Sequence, residues 1–129
     1  MAEGIEENTA TPGGSPTPSR RGEVYWLDFD PASGAEMKST DPCVIVQNDV
    51  GNQKSDLTIV VAITGNLRVA NLPIGVLIQA GTAGLSIDSV AHCGHVYTID
   101  QARLGSRLGR LPAAIMSQVD HPLIRSLAL

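Results

Sequence analysis

The sequence predicts a small, mainly β domain that closes with one helix. Three observations predict it. Short apolar or alternating segments recur at close spacing, each bounded by Gly, Pro, Asn or Asp. Aromatic residues make up only 3% against 43% hydrophobic overall, so the core must be built from Val, Ile, Leu and Ala. Helix formers with apolar spacing are confined to the end of the chain. A twisted, mostly antiparallel barrel or sandwich is the architecture that fits.

The elements follow in order. Residues 1–19 carry no hydrophobic periodicity, and the run Ala10–Ser19 holds three of the eight prolines. Such a segment cannot bury enough to offset its conformational entropy, so a disordered tail is expected there and a domain over 20–129. Glu23–Asp30 is aromatic-rich and half alternating, as a partly buried strand is. Asp30–Gly34 is a turn cluster and Ala35–Asp41 a polar loop. Pro42–Gln47 reads as a strand whose Pro stands first, where a missing N–H costs least. Asn48–Ser55 reads as a polar loop, Leu57–Thr64 as the most hydrophobic and central strand, and Gly65–Leu72 as a connector. Pro73–Gln79, Asp88–His92 and His95–Ile99 are further strands. Asp100 caps a helical turn. Gly105–Arg110 reads equally as a hairpin arm or a short strand. Pro112 suits the first position of the terminal helix, and Pro122 predicts a kink or restart near Asp120.

Several functional classes fall away. The longest clear apolar run, Leu57–Ile63, is far short of the roughly 20 residues a membrane helix needs. The N-terminus is acidic where a signal peptide is basic, which predicts a cytoplasmic protein. Cys43 and Cys93 make no disulfide framework, and a reducing compartment disfavours the one bridge they allow. The net charge is −4, and residues 22–129 still carry ten acids against seven bases, so the tail is not the source of the acidity. Such a balance argues against broad, non-specific binding of nucleic acid, though not against a small local basic site.

Candidate chemistry is sparse on spacing alone. His92 and His95 stand three apart, which on a regular strand points them to opposite faces, and with Cys93 and Cys43 they match no zinc pattern. No metal site is expected. His121, before Pro122, reads as a surface residue. Phosphate-loop and serine-elbow motifs are absent. Arg103, Arg107 and Arg110 read as a solvated face. The loop Gly34–Pro42 gathers Glu36, Lys38, Ser39, Thr40 and Asp41 between two strands. It is a functional loop on a rigid scaffold or a plain hairpin end, and composition does not separate the two.

The ordered set of motifs does more. Arg21–Pro31, Gly34–Glu36, Pro42–Asp49, Ile59–Thr64, Asp88–Val90, Tyr97–Asp100 and Arg103–Gly105, with a final helix holding Met116 and Val119, resembles the MazF/PemK toxins of bacterial type II toxin–antitoxin systems. The resemblance covers about residues 20–129. It implies a small SH3-like β-barrel with a C-terminal helix, of the MazF/PemK/CcdB type, paired as a homodimer. It implies a sequence-specific endoribonuclease that needs neither metal nor cofactor, cuts single-stranded mRNA by attack of a ribose 2′-OH on the adjacent phosphate, and is neutralised by an acidic segment of a cognate antitoxin. Such chemistry needs proton transfer, stabilisation of charge on phosphorus and a grip on splayed bases.

Residue by residue, the family's catalytic Thr falls on Thr64 and its loop Glu on Glu36. The resemblance points to Ser39, Thr40, Arg68 and His95 as RNA contacts. His95 follows Gly94, where many relatives carry Glu-Gln. The family's Arg before the Pro of the second strand falls on Asp41, an anion in place of a cation. Lys38 is the nearby cation that stands in, as a point charge rather than a bidentate fork. Asp41 therefore divides two readings, an active nuclease and a degraded homologue that only binds antitoxin or another protein. A gain of activity on Asp41→Arg would mark the second.

Overall fold

A computed structural model describes residues 17–29 and 40–129. It contains six strands and two helices: β1 (Glu23–Asp28), β2 (Thr40–Ile45), α1 (Asp49–Lys54), β3 (Leu57–Thr64), β4 (Gly75–Ile78), β5 (Ser89–Asp100), β6 (Leu104–Arg110) and α2 (Ala113–Ser126). The strands form one antiparallel sheet in the order β4-β5-β3-β2-β1-β6. β3 is central, as its unbroken apolar run predicts. No ladder joins β4 to β6 among the described residues. The loop after β4 packs on β6 instead: Gly84, at φ +78°, lies against the Leu108 carbonyl, and a Cβ on Gly109 would fall 2.6 Å from the Ala83 carbonyl carbon. The sheet curls into a barrel-like shape, with backbone packing where its two edges meet.

Both faces of the sheet are buried, but by different partners. Val24, Val44, Val61, Ile63, Ala91 and Cys93 turn to one face and meet Met116 and Val119 of α2. Leu27, Cys43, Ile45, Val60 and Ile99 turn to the other, with Tyr25, Phe29 and Leu104 packed at its margin. The alternation of odd and even positions on β2 and β3 makes this split. Both cysteines are buried and unbridged, one in each cluster. Burial pushes the Cys43 thiol up to about 12 and Cys93 to about 11. Both are expected to resist alkylation at neutral pH until the chain unfolds, as timed labelling with and without denaturant would read. An unfolded thiol ionises near 8.5, so stability is expected to fall as pH rises from there toward these raised values.

Four segments differ from the sequence reading. Asn48–Ser55 holds a short helix, because the Asn48 side chain accepts from the Gly51 N–H and caps it. Leu67–Asn71 is a 3₁₀ turn capped the same way by Asn66. The two strands expected at 88–99 are one, β5, interrupted by a bulge. Helix α2 runs through Pro122 without a restart, and Pro122 is buried. The open reading of 105–110 resolves as strand β6. Pro42 is third in β2 rather than first. The β2–β3 ladder begins only at Cys43, so Pro42 is paired on one side alone and its missing N–H breaks nothing.

The N-terminal junction is tied down. Ser19 is buried and donates from its backbone N and Oγ to Gln101 Oε1, at 2.9 and 2.8 Å. Arg21 pairs with Asp120 of α2 and donates from Nε to the Val46 carbonyl at 2.9 Å. Its backbone N–H reaches Asp49 at 2.7 Å and holds that carboxyl below the usual range. The expected disordered stretch otherwise lies at 1–16, outside the described residues. No helix among the described residues is long and apolar enough to cross a membrane.

Candidate active site

Thr64 ends β3 on the face that carries Val60 and Ala62. Its Oγ1 accepts from the Asn66 N–H at 3.1 Å. That bond occupies an oxygen lone pair and leaves the hydroxyl proton to be donated outward. Asp41 lies on β2 on the face shared with Cys43 and Ile45, and is exposed. The β2–β3 ladder ends at Cys43↔Ala62, and Asp41 and Thr64 each lie two residues beyond it on the same face. The two strands part there. A cavity of about 280 Å³ opens beside this gap toward the Ile63 and Leu85 face, lined also by Trp26, Thr40, Asp41 and Pro42 but not by Thr64. Cys43, two residues further along the Asp41 face, is no nucleophile, because burial keeps it protonated at neutral pH.

The other flank of β3 is β5. His92 stands opposite Ala62 and Val90 opposite Thr64, so His92 and Thr64 are diagonal neighbours on one face. Between His92 and Val96 the register slips, and Cys93, Gly94 and His95 have no partner on β3. This bulge overturns the expectation that the two histidines face apart. Their rings stack, centroids 3.7 Å apart and 4° from parallel. His95 lies 6.4 Å from Tyr97, which makes an edge contact with Phe29 at 5.1 Å. The result is a row of four rings beside Thr64. A Gly inside a strand run is the sequence signal of such a bulge, and Gly94 carries it. His92, Tyr97 and Phe29 were missed as site residues because only the tertiary fold brings them into line.

The remaining candidates divide. Thr40 is exposed at the cavity. Arg68 is exposed on the 3₁₀ turn just after Thr64, with no described residue pairing its guanidinium. Glu36, Lys38 and Ser39 lie outside the described residues. The late arginines are partly engaged: Arg107 pairs with Glu23 at 2.8 Å and Arg103 donates to the Asp28 carbonyl at 2.7 Å. No cluster of three or more metal-ligating side chains occurs among the described residues.

This arrangement, a hydroxyl donor at the end of a central strand with polar and aromatic groups on both flanks, suits a phosphate with bases beside it. Residues 20–127 match the family of PemK-like, MazF-like toxins of type II toxin–antitoxin systems. The chain belongs to the PemK/MazF toxin family. It is 40% identical over 110 residues to the endoribonuclease EndoA of Bacillus subtilis, covering 85% of this chain and 95% of that protein. Its fold matches MazF from Deinococcus radiodurans with a TM-score of 0.72 at 21% identity, over 88% of this chain and 100% of that one. A mycobacterial endoribonuclease in complex with its cognate antitoxin matches at 0.72 and 22%, over 86% and 96%. These likenesses agree with the barrel-like β fold and terminal helix expected of a PemK/MazF toxin.

Proposed function

We propose that this toxin cuts single-stranded mRNA in the cytoplasm, by attack of a ribose 2′-OH on the adjacent phosphate, without metal or cofactor. The observation that carries this reading is the Thr64 hydroxyl at the end of the central strand, whose oxygen is held by the Asn66 N–H and whose proton that bond leaves free to be donated. A donor fixed in advance meets the charge that grows on a phosphate oxygen without first reorganising. Glu36 orients the loop before β2 or a base, and Lys38 supplies charge in place of the family's Arg. Ser39, Thr40, Arg68 and His95 grip the RNA, and the ring row offers π-faces on which unpaired bases stack. The high identity to an endoribonuclease favours this reading over that of a silent binder.

A cognate antitoxin neutralises the toxin by laying an acidic segment on the same groove, and the toxin pairs as a homodimer. The Deinococcus MazF has been solved together with MazE, which supports the first of these. A broad panel of single-stranded RNAs tests the reading. Cleavage at defined sequences is expected in EDTA, leaving 2′,3′-cyclic phosphate and 5′-OH ends. Absence of specific cleavage at high enzyme concentration, or loss of it on chelation, would sink the proposal.

A further inference from the structure

We propose that Asp41 and His95 are the acid–base pair of this cleavage, Asp41 taking the 2′-OH proton and His95 protonating the departing 5′ oxygen. The inference rests on the nuclease reading above and gives the substituted position a task instead of a defect.

Placement makes the first argument. β3 lies between β2 and β5. Strands in a sheet run about 4.8 Å apart, so β2 and β5 flank β3 at roughly 10 Å from each other. Asp41 lies on β2 two residues past the last β2–β3 pair, on the Thr64 face and on one flank of Thr64, and His92 of the His92–His95 stack stands diagonal to Thr64 on the other. A phosphate held by the Thr64 hydroxyl thus has a carboxylate on one side and an imidazole on the other. Displacement at phosphorus places the entering and leaving oxygens on opposite sides, which is where this sheet puts the two groups.

The stack assigns the roles. The Gly94 N–H donates to His92 Nδ1 at 3.2 Å, so that nitrogen is an acceptor and the His92 proton sits on Nε2. That bond and the stack hold the half-buried His92 in place, and the exposed His95 is the ring open to substrate. His92 is then a positioning residue, stacked beneath the His95 ring. The facing groups leave this pairing undisturbed. β3 presents Ala62 and Thr64, β4 sets Gly75 opposite His92, and β5 adds Tyr97. β1 contributes Tyr25, whose phenol is bonded to Glu23, and Phe29 follows just past its end. Glu23 and Arg107 share this face and pair with each other at 2.8 Å, while Asp41 lies on β2 opposite Leu27.

The step balances. As the 2′ oxygen bonds phosphorus, its proton passes to the Asp41 carboxylate. The bond from phosphorus to the 5′ oxygen breaks with its electron pair on that oxygen, which takes the proton from the His95 imidazolium. A 2′,3′-cyclic phosphate and a 5′-OH result, and solvent exchange resets the pair.

The experiment is the pH dependence of kcat/KM on a cleaved RNA, for wild type, Asp41→Asn and His95→Gln. Wild type is expected to give a bell. Each substitution is expected to cost about 100-fold or more, the usual worth of a positioned acid or base. Asp41→Asn should lose the acidic limb and His95→Gln the basic limb. An RNA with a bridging 5′ sulfur at the cut, whose leaving group needs no proton, should restore His95→Gln to within about 10-fold of wild type and leave Asp41→Asn impaired. His92→Ala should lower kcat at unchanged KM and keep the basic limb. A flat wild-type profile, near-wild-type rates in either pair variant, no rescue by sulfur, or a faster Asp41→Arg enzyme overturns the pair while leaving the nuclease standing. A wild type that cuts no RNA at any pH overturns both.

Discussion

Replacing Thr64 with alanine is expected to slow RNA cleavage by about 100-fold or more, the scale of removing one fixed donor from a developing oxyanion. The Thr64 hydroxyl is half-buried and its oxygen is already bonded to the Asn66 N–H at 3.1 Å, so its orientation is set before substrate arrives. The loss should fall on kcat rather than KM, because the donor acts most strongly where charge accumulates. Serine keeps the hydroxyl and should recover much of the rate, whereas valine keeps the shape and should not. Single-turnover kinetics on one defined RNA reads the difference. A Thr64→Ala enzyme within about 3-fold of wild type would remove Thr64 from the proposed machinery, since even a modest positioned donor is worth more than that.

The second large effect is on stability. Asn52→Leu is expected to cost about 3 kcal/mol, from burial of polar groups left without partners. Asn52 is buried, and its Oδ1 accepts from Thr58 Oγ1 at 2.6 Å and from Gln47 Nε2 at 3.0 Å. Its Nδ2 donates to the Gln47 carbonyl at 3.1 Å, and its own carbonyl accepts from Gln101 Nε2 at 2.9 Å. Leucine would strand the fully buried Thr58 hydroxyl beneath an apolar side chain. Gln47 would suffer less, because its Nε2 also reaches the Leu57 carbonyl at 2.9 Å. For a domain of this size the loss corresponds to a fall in Tm of about 15 °C. The double variant Asn52→Leu with Thr58→Val should recover part of it, since removing both partners leaves less unsatisfied than removing one. Thermal melts of the three proteins test this, and a double variant no better than Asn52→Leu would refute the account.

Legibility followed the range of the interactions. β3 was plain because its run from Leu57 to Thr64 is apolar on both faces, a property of neighbouring residues alone. The first half of the terminal helix, 113–119, was plain from its spacing and from Pro112 at its start. α1 was hidden because six residues give no periodicity, and its formation depends on the Asn48 cap and on burial of Asn52 against Thr58. Pro122 misled for a related reason. A proline removes one bond from the helix, and burial of its ring in the tertiary structure makes the unbroken helix preferable to a restart.

By itself the sequence determined the β class, the terminal helix and the family. All of these reside in residue type and order. Only the tertiary structure decided which side chains share a face. The bulge at Cys93–His95 reverses the side on which His95 falls, and the sheet order sets β2 and β5 on opposite flanks of β3. Strand periodicity ties a side chain to a face only while the register is unbroken. One slip on β5 therefore turned two histidines from opposite faces into a stacked pair beside Thr64, across β3 from Asp41.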